Sequence, residues 1–524
     1  MSQTPRQDSR PNLLVICTDQ MRADHMALAG NPAIHTPNLD RLAGQGVYFP
    51  RSYVNCPLCM PSRSTMNTGL TPRGHGVRTN GIPLNPNLPT VAGALADAGY
   101  RTASVGKIHV TNYSGRSDVD PASMPASAYP ELRDHWKSGA IEKGPSPYCG
   151  FEHVELTLGH GGGVGGDYDA WLEAKQPGAN AIRYDSANYK RSPLGAENCS
   201  TFPLPEELHH TAYVAERTID FLQQQQGADQ PFYLWSSFPD PHHPYEPPAP
   251  WDTMYSPDDV VPPVSRDGEL DDLAPFFQQI HDGKLQLSGR AAPTKMSEAH
   301  RREILAYTYG LVSLLDKYVG RIIDSLDELG LAENTALVFI ADHGDLMGDH
   351  HLLNKGPFHF EGLLRVPMIW RFPSRFGVQQ TPALASLLDL PPTLLDLAGV
   401  DIPAGPASHE APMQPPAWPG RSLVPVLEGT QSTVQDSVII ENDEDYLGLR
   451  LRTLVTATHK ITTYTGHRGA EPYGELFDLE NDPGELHNRW NDPEAGELKR
   501  ELIELLHYRL VETDTAVPRR LSHA

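Results

Sequence analysis

A chain of 524 residues, 39% hydrophobic and 21% charged, is long enough for a large core and two unequal domains and too apolar for disorder. Its net charge of −24 excludes nucleic acid and anionic membrane surfaces as partners, because the mean field of the protein repels both. Leu13 to Cys17 is too short for a signal-peptide core and no run approaches the ~20 apolar residues of a membrane span. The five cysteines (17, 56, 59, 149, 199) give no disulfide framework, so a cytoplasmic setting is expected.

In chain order, Asn12–Cys17 reads as the first of five short buried parallel strands, and Asp19 and Gln20 follow it directly. Cys59-Met60-Pro61-Ser62-Arg63 starts a helix, with Pro61 in its first turn and Cys59 just ahead. Thr90 caps a helix whose Val91, Leu95 and Ala98 share one face and which Gly99 stops. Thr102–Val105 is the second strand. The stretch 110–230 is loop-rich and weakly periodic, placed to cap or line a site. Phe232–Ser237 is the third strand. Ile304, Tyr307, Leu311, Leu314, Val319, Ile322 and Ile323 keep a helical period over about five turns. Thr335–Ala341 and Val366–Trp370 are the last two strands, the former running into Asp342-His343-Gly344-Asp345. Alternating strands and helices predict an α/β domain over residues 10–400, a large and mostly parallel sheet sandwiched by helices. Residues 401–425 form a Pro-rich linker. Residues 426–516 read as a smaller α+β subdomain with a small antiparallel sheet: strands at Ser437–Glu441, Leu449–Thr456 and Lys460–Tyr464, and a helix from Glu494 to Glu512. No internal repeat is present, and a homo-oligomer is expected only on base rates.

Ligands of open α/β sheets bind beyond the carboxyl ends of strands, which makes Asp19, Gln20, Asp342 and His343 candidate ligands of a divalent ion. Asp19-Gln20 alone is more often an ordinary strand-end turn, and it is the two such ends in one sheet that bring the metal reading level with it. Cys59 at a helix start, with Arg63 one turn in, suits an anionic reacting group. A lone cysteine is more often a buried structural residue, and Cys56-x-x-Cys59 also has redox spacing. The run Gly159 to Gly166 lacks the residues of a phosphate loop and reads as a flexible loop.

Cys59-x-Pro61-Ser62-Arg63 followed by Thr68-Gly69 resembles the signature of the formylglycine-dependent sulfatases of the alkaline phosphatase superfamily. Four fixed identities at this spacing arise by chance on the order of once per thousand chains of this length. Gly99-Tyr100-x-Thr102-x-x-x-Gly106-Lys107-x-His109 resembles that family's second signature. Asp19, His242 in Pro241-His242-His243-Pro244, Asp342-His343-Gly344 and Lys355 are similar to further family elements, and Glu475 to Glu485 resembles its C-terminal hairpin. Gln20 stands where many members carry aspartate, a replacement shared with the choline-sulfatase and phosphonate monoester hydrolase branches.

The resemblance implies an alkaline-phosphatase-like fold and hydrolysis of sulfate monoesters, with a small anionic sulfate ester as substrate. It implies that an activating, formylglycine-generating enzyme converts Cys59 to Cα-formylglycine, whose hydrate is the nucleophile. One divalent ion, Mn²⁺ or Ca²⁺, is implied on Asp19, Gln20, Cys59, Asp342 and His343, the imidazole tipping the choice toward Mn²⁺. Lys107, Lys355, Arg63 and Asn80 are implied to hold the sulfate oxygens and the nucleophile, His242 to protonate the leaving alcohol, and His109 to act as the base that releases sulfate. The alternative is a phosphonate monoester or phosphodiester hydrolase with the same machinery; Lys107 and His109 look more like the sulfatase branch. The organic half of the substrate is not readable from the sequence.

Overall fold

The computed structural model describes residues 10–115, 118–120, 123–282, 284, 296–403, 418–444, 448–466 and 473–514. Nine strands form the main sheet: β1 (Asn12–Thr18), β2 (Val47–Tyr48), β3 (Arg101–Gly106), β4 (His153–Leu158), β5 (Gly165–Gly166), β6 (Phe232–Ser237), β7 (Thr335–Ala341), β8 (Met368–Arg371) and β9 (Gln379–Gln380). Their order across the sheet is β9-β2-β8-β7-β1-β6-β3-β4-β5. The centre, from β7 through β1, β6 and β3 to β4, is parallel. β1 and β7 are buried over their whole length, as expected for parallel strands covered on both faces.

Helices cover both faces. One group holds Pro37–Ala43, His210–Gln224 and Glu298–Glu328, and the other Cys59–Thr68, Val91–Asp97 and Leu390–Ala398. β3 touches a helix from each group, Val91–Asp97 and His210–Gln224. The 31-residue helix Glu298–Glu328 begins at a Ser297 cap and buries Ile304, Leu311, Leu314, Val319, Ile322 and Ile323, as the periodicity predicts.

The segment expected as a fifth parallel strand runs the other way: β8 pairs antiparallel with β7, Met368 opposite Ile340. The chain leaves β7 at its carboxyl end, threads residues 342–367 along that edge, and re-enters beside the point where it left. Without a crossover helix to the far end, the next strand can only be antiparallel. The loop-rich stretch 110–230 contributes β4, β5 and the helices Asp167–Lys175 and His210–Gln224. Its glycine run is a close-packed wall rather than a flexible loop: Gly161–Gly163 is a 3₁₀ turn and Gly165–Gly166 pairs with β4. A Cβ on Gly162 would meet the Tyr189 hydroxyl at 1.7 Å.

The smaller C-terminal domain is a four-stranded antiparallel sheet, β10 (Ser437–Glu444), β11 (Leu449–Thr456), β12 (His459–Thr465) and β13 (Tyr473–Asp478), with the helix Gly496–Glu512 packed on it. Leu479 to Glu485 turns away after β13, so the resemblance to a hairpin over 475–485 is met by one strand and a turn. Of the predicted linker, residues 404–417 lie outside the described residues, and Val424–Leu427 is a short helix. The edge of this sheet meets the segment that leads into the helix Cys59–Thr68: Glu441 N–H donates to the carbonyl of Asn55 (2.8 Å), and Asn55 Nδ2 donates to that of Ile439 (3.0 Å). Among the described residues, no helix is long and apolar enough to cross a membrane.

Candidate active site

The sheet register builds the site. Thr18 lies opposite Ala341, so the residues after β1 and β7 emerge side by side. The Gln20 amide donates to Asp342 Oδ1 at 3.0 Å, with Gln20 in the left-handed region (φ 63°). On the other flank β3 ends at Gly106 (φ 99°), where a Cβ would stand 1.9 Å from the Ser237 carbonyl oxygen. That close approach lets the Lys107 amide donate to the same oxygen at 3.0 Å, carrying the lysine inward.

The helix Cys59–Thr68 is buried along its whole length. Cys59 is its first residue rather than a flanking one, and Leu58, the cap, offers no side-chain acceptor. Asn80 supplies it from another loop: its Oδ1 accepts the Met60 amide at 3.0 Å. Arg63 is wholly buried and donates to Asp342 Oδ2 (2.7 Å), the Lys107 carbonyl (2.9 Å) and Ser237 Oγ (2.9 Å). One guanidinium thus ties three strand ends together, which a lysine has too few fixed donors to do.

Ligand atoms of Asp19, Cys59, Asp342 and His343 all lie within 4.8 Å of one another. That is about twice the ~2.4 Å of a metal–oxygen bond, so the four donors fit around a single ion. His343 Nδ1 donates to the Gly344 carbonyl (2.8 Å), which turns Nε2 toward the cluster, 3.1 Å from Cys59 Sγ. The Lys355 ammonium sits among these donors, 2.8 Å from Gln20 Oε1, 3.0 Å from Cys59 Sγ, 3.1 Å from His343 Nε2 and 2.9 Å from His242 Nε2. A cation is therefore already welcome at this point, and the donor set suits a hard or borderline divalent ion.

Burial pushes the Cys59 thiol up, yet Lys355, aided by Lys107 and His343, outweighs it and brings the group down to about 7. Burial opposes ionisation of Asp19 too, and the adjoining Lys107 ammonium still holds its carboxyl well below the carboxylate range. His242 is kept neutral by burial and by the neighbouring His160 and Lys355, and His109 by burial and Lys107. The His242 ring is fixed by Nδ1, 2.6 Å from the His243 carbonyl.

All eleven residues singled out in the sequence gather at this end of the sheet. The structure adds others. His160, at the tip of the glycine run, lies 2.9 Å from Lys107 Nζ and 3.3 Å from Asp19 Oδ2 and stacks on His242 (centroids 3.6 Å apart). Tyr113 stacks on His109 (3.8 Å), and Asp345 accepts from Gln20 Nε2. A histidine inside a glycine run was the one available signal for His160, and for Asp345 it was a place three residues after Asp342 at the same strand end; Tyr113 had none.

Comparison with known proteins gives the class and then the family. The chain is similar to the solved phosphonate monoester hydrolase of Agrobacterium radiobacter (25% identity, TM-score 0.77, 96% of each chain). It is also similar to the multifunctional alkaline phosphatase superfamily protein PehA of Trinickia caryophylli, 27% identical over 98% of this chain and 97% of that one. The fold and its strand-end cluster thus define a hydrolase of the alkaline phosphatase superfamily. The sulfatase family model matches residues 11–400, and that for the N-sulphoglucosamine sulphohydrolase C-terminal region matches 348–512. An arylsulfatase of Clostridium perfringens is 31% identical over 95% of each chain. The chain belongs to the sulfatase family and is a sulfuric ester hydrolase, cleaving sulfate monoesters to an alcohol and inorganic sulfate.

Proposed function

We propose that cleavage takes place at residue 59, after an activating enzyme has oxidised Cys59 to formylglycine, with one divalent ion held by Asp19, Gln20, Asp342, His343 and the modified side chain. The observation that carries this reading is Cys59 at the first turn of a buried helix, 3.0 Å from Lys355, 3.1 Å from His343 and beside Asp19. When bound, the ion supplies positive charge and favours the ionised hydroxyl of the formylglycine hydrate, which is the nucleophile; His343 favours Mn²⁺ over Ca²⁺.

The chain's own groups do the rest. Lys107 and Lys355 neutralise the ester oxygens as charge moves onto them. Arg63 keeps Asp342 and the neighbouring strand ends fixed, and Asn80 holds the helix turn that bears residue 59. His242 Nε2, which accepts from the Lys355 ammonium at 2.9 Å, takes a proton from it and passes one to the leaving alcohol, its ring held by the His243 carbonyl and the stacked His160. His109 accepts the proton released when sulfate departs. The organic half of the ester is taken by the cleft of about 490 Å³ that starts two residues from both His160 and His242 and is lined by Tyr184, Tyr189, Arg191, Asn198, Pro244 and Glu246. Five free cysteines support a reducing, cytoplasmic setting.

The mass of the tryptic peptide Ser52–Arg63 tests the nucleophile: conversion of thiol to aldehyde lowers it by roughly 18 Da. An intact thiol in fully active enzyme would overturn the assignment. The second reading, phosphonate monoester hydrolysis, is favoured by Gln20 and His343 together with the likeness to the Agrobacterium enzyme. Rates on 4-nitrophenyl sulfate and on a phenylphosphonate monoester, measured side by side, decide it, and the sulfate is expected to be the faster.

A further inference from the structure

The loop after β3 carries Lys107, His109 and Tyr113, and its backbone is held from one side by a single buried carboxylate. Glu131 Oε2 accepts the His109 amide at 2.6 Å. Its Oε1 accepts the amides of Val110 (2.9 Å) and Thr111 (3.1 Å), the Tyr148 hydroxyl (2.8 Å) and the Thr111 hydroxyl (3.4 Å). Glu131 has no exposed surface. Three consecutive backbone N–H groups converging on one point form an anion-binding concavity. His109 occupies the left-handed region (φ 57°), a conformation that a non-glycine residue keeps only when its surroundings impose it.

We propose that Glu131 is a positioning residue for the reaction: an internal anion that fills this nest and so fixes the His109 ring against Tyr113 and Lys107 against Asp19. Four arguments carry it. The amide of the strained residue makes the shortest of the five contacts, so the carboxylate holds the conformation where it is least favourable. His109 Nδ1 has no hydrogen-bond partner among the described residues, so its ring is held by the backbone and by the Tyr113 stack. Lys107 Nζ lies 5.7 Å from the centre of the same Tyr113 ring, so a loop that relaxes displaces both groups that face the ester. An unfilled nest beside a site built for sulfate would also compete for the substrate's anion, and an internal carboxylate removes that competitor.

The inference rests on the reading of His109 and Lys107 given above, and the experiment separates the two. Activity is measured on whichever ester the wild type turns over, so a preference for phosphonate leaves the test intact. Glu131→Ala is expected to lower kcat at least 100-fold with KM changed less than threefold. Acetate or formate at tens of millimolar, diffusing into the vacated nest, is expected to restore at least tenfold of that loss saturably, while chloride does not. Calorimetric titration should detect one acetate site in Glu131→Ala and none in wild type. If Glu131→Ala does not fold, Glu131→Gln decides: its NH₂ group opposes at least one backbone donor, so kcat falls at least tenfold at constant KM. Full activity in a folded Glu131→Ala or Glu131→Gln protein overturns the proposal, as does a loss in folded Glu131→Ala that no carboxylate rescues. Rescue that persists unchanged in the His109→Ala/Glu131→Ala double variant would move the role from His109 to Lys107.

Discussion

Of two titrating groups, Cys59 shows neighbours at about 3 Å overriding burial, and His242 shows them adding to it. The Cys59 thiol is buried, and burial alone would raise its pKa, yet Lys355, Lys107 and His343 bring it to about 7. In protein that has escaped oxidation, thiolate absorbance near about 240 nm should therefore grow in with a midpoint at about 7, be absent in Cys59→Ser, and move to higher pH in Lys355→Ala. His242 is displaced the same way as other buried histidines, by burial first and by His160 and Lys355 next, so the resting ring is neutral. The proton it relays from Lys355 matters in proportion to the basicity of the leaving group. His242→Ala should cost about 10²–10⁴ in kcat on an alkyl sulfate and much less on 4-nitrophenyl sulfate, whose phenolate leaves unaided. Equal losses on both esters would point to a binding role instead.

The elements that matter most are strand ends and the turns that leave them. β1, β3, β6 and β7 end at one edge of the sheet; Asp19, Gln20, Lys107, Asp342 and His343 follow three of these ends directly, and the helix Cys59–Thr68 brings Cys59 and Arg63 to the same edge. Gly106 lets two of these ends touch. Gly106→Ala places a Cβ 1.9 Å from the Ser237 carbonyl oxygen in a backbone region that alanine rarely adopts. Thermal melts should show a loss of roughly 2–4 kcal/mol, and activity should fall further than stability does, because Lys107 is displaced with the strand end. An active variant of wild-type stability would mean that the edge can relax.

Across the molecule, buried titratable groups set the pH window of stability. His25, His75 and His209 are buried, and desolvation lowers each to about 3. A histidine depressed from about 6.5 contributes stability that is complete above pH 6.5 and is lost as pH falls toward 3, each at about 1.4 kcal/mol per pH unit. Glu475 is displaced upward to about 8 by burial, opposed by the Tyr464 hydroxyl and Lys460. It works in the opposite direction, since its contribution is complete below pH 4.5 and lost as pH rises to 8. Melting temperatures should fall on the acid side of pH 6.5. Glu475→Gln, which keeps an oxygen for Tyr464, should gain on wild type steadily between pH 5 and pH 8. A pH-independent difference between the two would show that Glu475 is not protonated in the fold at neutral pH.

The two signatures, the strand-end pairs and the helical period of residues 304–323 were legible because each is a local pattern: residue type at fixed spacing, or apolar residues on one face. Those patterns sufficed for the fold class and for the residues from Asp19 to Lys355 that gather at the site, and the sulfatase family follows from them. The direction of β8, the packing of the glycine run, and the arrival of His160 and Glu131 were not legible. Each depends on contacts between segments far apart in the chain, and nothing in a histidine or a glutamate announces which distant backbone it will meet. Cys59 could be identified as the candidate nucleophile from its neighbours in sequence. The thiol at about 7, the neutral histidines and the meeting of the Glu131 carboxyl with the amides behind His109 were decided only when folding brought charges and amides within about 3 Å of one another.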